Sequence, residues 1–344
     1  MGSPPRDNNP AAIGLPPATP EFDASVQSLL ELLEGKQRVV VASHIHPDGD
    51  AIGSTLAMLH ILERLGKTVL AYNRHPVPYN FQFLPGADRV TDQIPEDFDP
   101  ELTVLLDCAE AKRIGEDFPE HGWGADVAVV DHHKTWDPDF ASVYVRDVGA
   151  AATGEVLYRI LIAANIPLDL EIARPLYCCL MTDTGSFRYS STSRATFQIA
   201  GELLDVGVDA WDMTSNIYES QPLQRVKLLA EVLATLEVSS CGRLAFIRLE
   251  QEMFDRLGAS TELADGFINF GRSIRGVEVA TQMTEIEDGA WKISFRSRGN
   301  IDVSLLAERF GGGGHRNAAG CTIQGSPEDV IEQLSAALSE LLGD

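Results

Sequence analysis

Short runs of apolar, mostly β-branched residues alternate with helical patterns through the first two hundred residues of the chain. Four runs are continuously apolar, which is typical of strands covered on both faces of a sheet. These predicted strands are Arg38–Ala42, Lys67–Ala71, Leu102–Leu106 and Asp126–Val130. The predicted helices between and after them are Ala51–Leu65, Ala152–Ala164, Leu170–Met181, Ala195–Asp205 and Ala210–Glu219. This alternation predicts an α/β fold with a doubly wound, mainly parallel sheet.

The pattern changes near residue 221, where one long amphipathic helix is predicted over Gln221–Thr235. Beyond it, strands and helices mix in a way that indicates a smaller α/β domain. Its predicted elements are the strands Leu244–Leu249, Val277–Thr284 and Trp291–Phe295 and the helices Val303–Phe310 and Pro327–Leu342. We therefore expect four segments, namely a disordered proline-rich leader (1–20), an N-terminal domain (21–220), a helical linker (221–235) and a mixed α/β C-terminal domain (236–344).

Composition and charge narrow the classes of function. The chain has 344 residues and a net charge of −24, which argues against a general binder of long nucleic acid, because such proteins need a basic surface. A small phosphorylated ligand remains compatible, since a few metal ions or arginines can form a local positive site. The sequence has no secretory pattern, no apolar run of membrane-spanning length and no CxxC pair among its five cysteines. These features predict a cytoplasmic protein with reduced thiols.

Five of the eight histidines lie in three short segments. Ser43–Asp50 (SHIHPDGD) directly follows the first predicted strand, Asp131–His133 directly follows the fourth, and Gly311–His315 lies in the C-terminal domain. Asp107 comes directly after the third strand, and Asp183 follows an apolar helix. Because open α/β sheets bind their ligands at the carboxyl ends of the strands, we expect the N-terminal segments to lie in one crevice.

Six of these residues form a candidate metal centre. They are His44, Asp48, Asp50, Asp107, His132 and Asp183. Four carboxylates packed together require protons or cations, and two divalent ions would match their charge. A donor set of oxygens and imidazoles without thiolates favours Mn²⁺ or Mg²⁺ over a structural zinc, and a pair of such ions suits in-line attack at phosphorus. The central Asp107 is the expected bridging ligand.

Each segment also has an ordinary structural explanation. Pro47–Asp50 is compatible with a tight turn in which Asp50 caps the next helix. Asp131–His133 is compatible with a polar strand end, and Asp107 and Asp183 with turn or capping residues. These residues all follow strands or helices of the same predicted α/β domain. Their joint placement favours the metal site over separate turns and caps.

The glycine run Gly311–Gly314 also allows two interpretations. It is compatible with a flexible loop, or with a backbone whose N–H groups approach a phosphate without obstruction by Cβ atoms. From Lys292 to Arg316 the chain has five basic and two acidic residues. This stretch is therefore a candidate receptor for a terminal phosphate of the substrate.

The motifs resemble those of the DHH phosphoesterase superfamily. His44–Ser54 (HIHPDGDAIGS), Asp107, Asp131–His133 and Met181–Gly185 (MTDTG) are similar to its four motifs, and Gly311–Gly320 resembles the associated DHHA1 domain. The resemblance covers almost the whole chain after the leader. It is strongest to the branch of bacterial oligoribonucleases, or nanoRNases, that also dephosphorylate 3′-phosphoadenosine 5′-phosphate (pAp).

The resemblance implies roles for individual residues. One Mn²⁺ would be held by His44, Asp48 and Asp107, and a second by Asp50, Asp107, His132 and Asp183, with Mg²⁺ or Co²⁺ as alternative ions. His133 would face the scissile phosphate as a charge stabiliser or a proton donor, so that His133 and Asp107 are the expected catalytic residues. The expected substrate contacts are Arg298, Gly313, Gly314, His315 and Arg188, the last of which could instead form a salt bridge between domains. His46 is a departure, since the family often has Asn there, and a supporting contact behind the ligands is expected for it.

The implied function is a cytoplasmic two-metal hydrolase in which the DHH domain is catalytic and the DHHA1 domain binds substrate. It would cleave short RNA or DNA oligonucleotides and linear dinucleotides to mononucleotides, and pAp to AMP. Long duplexes and membranes are not expected partners, and a homodimer is compatible with the sequence. The alternatives are a cyclic-dinucleotide phosphodiesterase, an inorganic pyrophosphatase, a RecJ-like exonuclease and a non-catalytic nucleotide-binding regulator. The intact ligand set argues against the last of these.

Overall fold

A computed structural model of the chain describes residues 14–287, 289–299 and 301–342, without the side chains of residues 287, 315 and 342. The chain divides into two compact units, residues 1–220 and 221–344. None of the helices in the described part of the chain combines the length and the apolar character that crossing a membrane requires.

The described part of the first unit is built on a six-stranded parallel sheet with the order β3-β2-β1-β4-β5-β6. Its strands are β1 (Arg38–Ser43), β2 (Thr68–Tyr72), β3 (Val90–Thr91), β4 (Leu102–Leu106), β5 (Asp126–Asp131) and β6 (Val143–Arg146). Its helices are α1 (Pro20–Glu34), α2 (Gly49–Arg64), α3 (Thr153–Ala163), α4 (Leu170–Asp183), α5 (Arg194–Val206) and α6 (Ala210–Thr214), with a π-helical turn at Ser215–Glu219. The predicted doubly wound parallel sheet is confirmed, and the winding reverses between β1 and β4.

The apolar runs predict the central strands because both faces of the sheet are covered there. All five residues of β4 are buried, as are five of the six residues of β1. The edge strand β6 is different, since only Val145 of its four residues is buried. A continuous apolar run is therefore absent from β6, and the two-residue β3 is too short to show one.

The predicted leader differs from the structure at its end. Leu15 is buried, the carbonyl of Gly14 accepts a hydrogen bond from Gln198 Nε2 (2.9 Å), and Pro20 begins α1. Residues 14–20 are thus part of the folded unit and not of a disordered tail. The buried side chain of Leu15 and the hydrogen bond to the Gly14 carbonyl attach them to the first unit. Residues 1–13 of the predicted leader lie outside the described residues.

The described part of the second unit is a six-stranded mixed sheet with the order β11-β12-β10-β9-β8-β7. Its strands are β7 (Glu237–Val238), β8 (Leu244–Leu249), β9 (Val279–Glu287), β10 (Ala290–Ser297), β11 (Gly313–His315) and β12 (Ala318–Gln324). Its helices are α7 (Leu223–Ala234), α8 (Gln251–Leu257), α9 (Ile268–Ser273), α10 (Ser304–Arg309) and α11 (Pro327–Leu342). Among the described strands of this unit, only β8 and β9 pair in parallel, which agrees with the predicted mixed α/β domain.

The helix predicted as a linker belongs to the core of the second unit. Leu228 and Val232 of α7 are fully buried and cluster with Ile247 of β8 and with Phe254 and Phe267. An amphipathic pattern identifies a helix with one buried face but does not identify the surface that covers it. The pattern therefore predicted the helix and left its packing open.

The second half of the glycine run lies in a strand, and the first half connects that strand to α10. Gly313 and Gly314 pair with Gly320 and Ala319 of β12. A Cβ atom at Gly314 would lie 2.5 Å from the Cα of Ala319, and one at Gly312 would lie 2.1 Å from the carbonyl oxygen of Gly320. Glycine is therefore required at two positions of the run for close approach of the two strands.

Candidate metal centre

The predicted ligands of the first unit follow directly after adjacent strands. His44 follows β1, Asp107 follows β4, and His132 follows β5. Ser43 is in register with Leu106, so β1 and β4 end side by side. This is the point where the winding of the sheet reverses, and open α/β sheets bind their ligands at such a point.

The carboxylate of Asp48 caps α2. Its Oδ1 accepts hydrogen bonds from the backbone N–H groups of Asp50 (3.1 Å) and Ala51 (3.0 Å). Asp48, and not Asp50, is therefore the N-cap residue, and Asp50 lies in the first turn of the helix. The cap fixes the backbone of both acidic residues at the start of α2.

The buried carboxylate of Asp50 points at the start of α3. It accepts hydrogen bonds from the backbone N–H groups of Thr153 (2.7 Å) and Gly154 (3.2 Å), where the helix dipole favours negative charge. Burial, followed by the nearby charge of Asp107, nevertheless raises the pKa of Asp50 well above its ordinary value. A group in this environment is stabilised as a carboxylate by a cation.

Two histidines present their Nε2 atoms to the central aspartate. The Nδ1 atoms of His44 and His132 lie within hydrogen-bond distance of the backbone carbonyls of Ile45 (2.8 Å) and Ala150 (3.2 Å). When Nδ1 donates to a carbonyl, Nε2 carries the lone pair, which is the tautomer of a metal-ligating imidazole. His44 Nε2 lies 3.4 Å from Asp107 Oδ2, and His132 Nε2 lies 3.7 Å from Asp107 Oδ1.

Asp107 is buried and has a constrained backbone. Its φ angle is +55°, and its N–H donates to the carbonyl of Val130 (3.0 Å). A residue other than glycine is strained in this left-handed region, and the conformation persists only where the surrounding structure holds it. Burial raises the pKa of its carboxyl group, but hydrogen bonds from His133 and His44 outweigh burial and lower it, so the carboxylate is ionised. Thr153 Oγ1 donates a further hydrogen bond to Oδ1 (3.0 Å).

Among the described residues, three groups of candidate ligand atoms each lie within 4.8 Å of one another. They are His44 with Asp48 and Asp107, Asp50 with His132 and Asp183, and Asp107 with His132 and His133. The structure thus brings all six predicted ligands together. One carboxylate oxygen of Asp107 faces His44, and the other faces His132, which belongs to a different group. A bridging ligand needs this geometry.

His133 is held by two carboxylates. Its Nδ1 lies 2.8 Å from Oδ1 of Asp131 and 3.3 Å from Oδ1 of Asp107. Burial lowers the pKa of this imidazole, but the hydrogen bonds to Asp107 and Asp131 outweigh it and raise the pKa to about 11. His133 is therefore a cation near neutral pH. Asp131 was not among the predicted site residues, although its position at the buried end of β5 could have indicated this role.

The predicted substrate contacts lie in separate parts of the chain. Arg188 is exposed, five residues after Asp183, and its Nε donates to the carbonyl of Gly185 (2.5 Å). Arg298 is exposed directly after β10, and His315 ends β11; both strands end where β12 begins. The side chain of His315 lies outside the described part of the chain. Gly313 and Gly314 lie in β11, which is the edge strand of the second sheet.

Two features of the second unit modify the predicted phosphate receptor. The N–H groups of Gly311 and Gly312 donate to the carbonyls of Glu308 and Ala307 at the end of α10, so they are engaged within the fold. Arg309 pairs with Glu340 (2.8 Å), which reduces the local positive charge. Of the glycine run, this leaves Gly313 and Gly314 as the candidates for contact with a phosphate.

Comparison with known proteins assigns the chain to a family. Residues 38–181 match the family model described as "DHH family, N-terminal domain", and residues 248–344 match the DHHA1 domain. A Thermus thermophilus protein named bifunctional oligoribonuclease and PAP phosphatase NrnA is 33% identical over 319 residues, which cover 92% of this chain and 93% of that protein. The chain belongs to the DHH family. The predicted resemblance is therefore confirmed.

Two further similar proteins extend the comparison. The Bacillus subtilis protein of the same name is 27% identical over 290 residues, covering 83% of this chain and 89% of that protein. The crystal structure of an exopolyphosphatase-related protein from Bacteroides fragilis is similar with a TM-score of 0.85 and 27% identity, covering 92% of this chain and 96% of that chain. The similarity to this solved structure thus extends over both units.

Proteins of the DHH family use divalent metal ions, and the donor set of this chain fits them. Carboxylate oxygens outnumber imidazole nitrogens, and the cluster lacks a thiolate, as expected for hard or borderline divalent ions. The backbone carbonyls beside Nδ1 of His44 and His132 would favour the tautomer that a ligand requires when an ion binds at Nε2. The cluster can therefore bind divalent ions, while the role of each residue as a ligand remains a prediction.

The loop between β1 and α2 is supported from the end of β2, by residues that the sequence argument did not select. The Nδ2 atom of Asn73 donates to Ser43 Oγ and to the carbonyl of His44, both at 3.0 Å. His75 accepts the backbone N–H of His46 at its Nδ1 (3.1 Å), and the two imidazole rings stack at 4.0 Å. His46 thus contacts His75 in this DHH chain, while a contact of its side chain behind the ligands stays a prediction.

Small residues let the helices that carry the acidic ligands approach closely. A Cβ atom at Gly53 of α2 would lie 2.6 Å from Sγ of Cys179 in α4, and one at Gly154 of α3 would lie 2.4 Å from the Cβ of the same cysteine. A Cβ atom at Gly49 would lie 2.4 Å from the side chain of Thr182. This packing brings Asp50 and Asp183 together. The spacing of four residues between Gly49 and Gly53 was the available sequence signal.

We expect Gly53→Val to lower the free energy of unfolding by about 3 kcal/mol, because the new side chain would overlap α4 in a closely packed core. Gly201→Val is the matched control, since a Cβ atom at Gly201 of α5 would have no neighbour within 4 Å. Urea unfolding in the presence of EDTA measures both variants. Equal free energies of unfolding for the two variants would contradict the packing argument.

Proposed function

We propose that this DHH protein is a two-metal-dependent phosphoesterase that hydrolyses short oligonucleotides and linear dinucleotides to mononucleotides and pAp to AMP. The observation that supports this most strongly is the position of the ionised Asp107 carboxylate between two groups of oxygen and imidazole donors. The substrate class rests on relatives whose names combine oligoribonuclease and PAP phosphatase over most of the chain. Mn²⁺ is the proposed ion, with Mg²⁺ or Co²⁺ as alternatives.

The residues of the centre have different proposed roles in the reaction. Bound divalent ions would supply Lewis-acid activation of water and of the phosphoryl oxygens. His44, Asp48, Asp50, His132 and Asp183 would hold the ions, with Asp107 shared between them. The carboxylates of Asp131 and Asp107 favour protonation of His133, whose imidazolium would stabilise charge on the scissile phosphate or donate a proton to the leaving oxygen.

The proposed location is the cytoplasm, and the proposed partners are short RNA or DNA and small phosphorylated nucleotides. None of the five cysteines, all within the described residues, forms a disulfide, and four of them are buried, which is typical of proteins in reducing compartments. The net charge of −24 disfavours long nucleic acid. A homodimer is the proposed assembly, and gel filtration tests it.

One assay panel with Mn²⁺ tests the proposed function. The substrates are labelled RNAs of two to twenty-four nucleotides, pAp, a cyclic dinucleotide and pyrophosphate. We expect the fastest hydrolysis for the shortest RNAs and measurable release of phosphate from pAp. Preference for the cyclic dinucleotide, for pyrophosphate or for the longest RNA would replace the proposal with the corresponding alternative. No hydrolysis of any substrate, with nucleotide binding retained, would indicate a non-catalytic regulator.

Arg298→Gln is expected to raise the KM for a dinucleotide about tenfold and to change kcat much less, because a charge-assisted contact to a phosphate positions the substrate without reacting. Arg309→Gln is the matched control, because Arg309 lies in the same basic stretch but pairs with Glu340. Steady-state kinetics on the dinucleotide and on pAp measure both variants. Unchanged kinetics of Arg298→Gln on both substrates would remove Arg298 from the site.

A further inference from the structure

Trp136 lies three residues after His133 and is held beside the metal centre by Arg146. Nη2 of Arg146 donates to the carbonyls of His133 (2.6 Å) and Lys134 (3.2 Å). The guanidinium carbon of the same arginine lies 4.5 Å from the centroid of the Trp136 ring. One side chain thus links the backbone of the proposed phosphate-facing histidine to the indole.

The indole is both fixed and accessible. Tyr144 meets it in an edge-to-face contact with ring centroids 4.8 Å apart, and the hydroxyl of Tyr144 is itself bonded to the backbone of residues 137–141. Trp136 is nevertheless 42% exposed. Arg146 lies over one face and Tyr144 meets the ring at a steep angle, so the exposed area leaves room for a further contact. A fixed, accessible indole is what stacking on a planar ligand requires.

The position of the ring matches the reach of a nucleotide. Three residues of backbone span at most about 10 Å, so the Cα atoms of His133 and Trp136 lie within about that distance of each other. A base joined to the scissile phosphate through its sugar extends over a comparable distance. The exposed Lys134 and the guanidinium of Arg146 add positive charge along this segment, which favours a phosphodiester.

We propose that Trp136 is a base-stacking platform for a nucleotide adjoining the scissile phosphate. This inference rests on the proposed function and specifies its substrate, because it assigns to the chain a subsite for a nucleobase in the first unit. Stacking of a base on an aromatic ring is tolerant of base identity. The platform therefore favours nucleotide substrates over other phosphoesters without selecting one base.

The test compares an adenine dinucleotide with the same dinucleotide in which both bases are absent. Removal of one stacking partner weakens single-strand binding by about tenfold or more. Trp136→Leu should therefore lower the preference for the base-containing substrate by about tenfold. This preference is measured as the ratio of the KM values of the two substrates. Trp136→Phe should retain most of the preference, because it keeps an aromatic ring. Trp211→Leu is the control, since Trp211 is 66% exposed on α6, which carries none of the proposed ligands.

A purely structural role for Trp136 predicts other results. In that case Trp136→Leu would reduce the melting temperature and slow both substrates alike, or Trp136→Phe would be as impaired as Trp136→Leu, and the platform would be rejected. Hydrolysis of neither dinucleotide by the wild type would instead reject the proposed function. Tryptophan fluorescence would then test the base-stacking role of Trp136 independently of hydrolysis. If Trp136 stacks on a base, the adenine dinucleotide must quench the fluorescence of the wild type more strongly than that of Trp136→Phe.

Discussion

Asp107→Asn is expected to reduce kcat on a dinucleotide by about 1,000-fold or more. Asparagine keeps the shape of the side chain and one oxygen, which can still accept the hydrogen bond from Thr153 Oγ1. It removes the negative charge and one of the two oxygens that face His44 and His132. Because both proposed ions share this carboxylate, the loss affects the stabilisation of charge in the transition state and not only one binding site.

The measurement combines activity with metal binding and folding. Calorimetric titration with Mn²⁺ should show fewer bound ions or a much weaker second site, while the far-ultraviolet circular dichroism spectrum stays that of the wild type. Asp88→Asn, which neutralises an exposed aspartate, is the control for the change of net charge. Wild-type turnover of Asp107→Asn, or two ions bound with wild-type affinity, would exclude a bridging role.

The clustering of the candidate ligands can be predicted from the sequence because strand ends are local features. Asp107 directly follows a run that must be a buried strand, and parallel strands bring their carboxyl ends to one edge. The same argument places His44 and His132. Asp183 is harder to predict, since it ends α4 and reaches the centre only through the packing of that helix, which depends on Gly53 and Gly154.

The supporting residues could not be predicted because they act across long sequence distances. Asn73 and His75 contact the loop after β1 from the end of β2, and Thr153 contacts Asp107 from the start of α3. Nothing in the local sequence of Asn73 distinguishes a buried loop-holding amide from an ordinary strand end. The packing of α7 within the second unit is a further case, since its pattern specified a buried face without a partner.

The stability of the metal-free protein should depend on Asp183. Burial, opposed by the charge of His132 and reinforced by that of Asp107, raises the pKa of Asp183 from 3.8 to about 6. The folded state therefore binds a proton between these pH values that the unfolded state does not bind. It follows that ionised Asp183 destabilises the folded protein above about pH 6, and that this effect declines as the pH falls toward 4.

Asp183→Asn replaces this carboxylate with a neutral side chain of the same shape. In EDTA at pH 7.5, the variant should melt a few degrees higher than the wild type, because no cation offsets the crowded carboxylates. The difference should shrink at pH 4.5, where the wild-type carboxyl group is largely protonated. Differential scanning calorimetry at the two pH values measures this difference, with Asp88→Asn as the charge control.

Addition of Mn²⁺ should reverse the order of the two proteins. An ion at about 1,000 times its dissociation constant stabilises the folded state by about 4 kcal/mol, which corresponds to a rise of about 10 °C for a unit of this size. Asp183→Asn lacks one of the proposed ligands and should gain less than half of that rise. If the variant melts below the wild type in EDTA, crowding of unneutralised carboxylates does not limit the stability of the metal-free fold. If Mn²⁺ raises both melting temperatures equally, Asp183 is not a ligand.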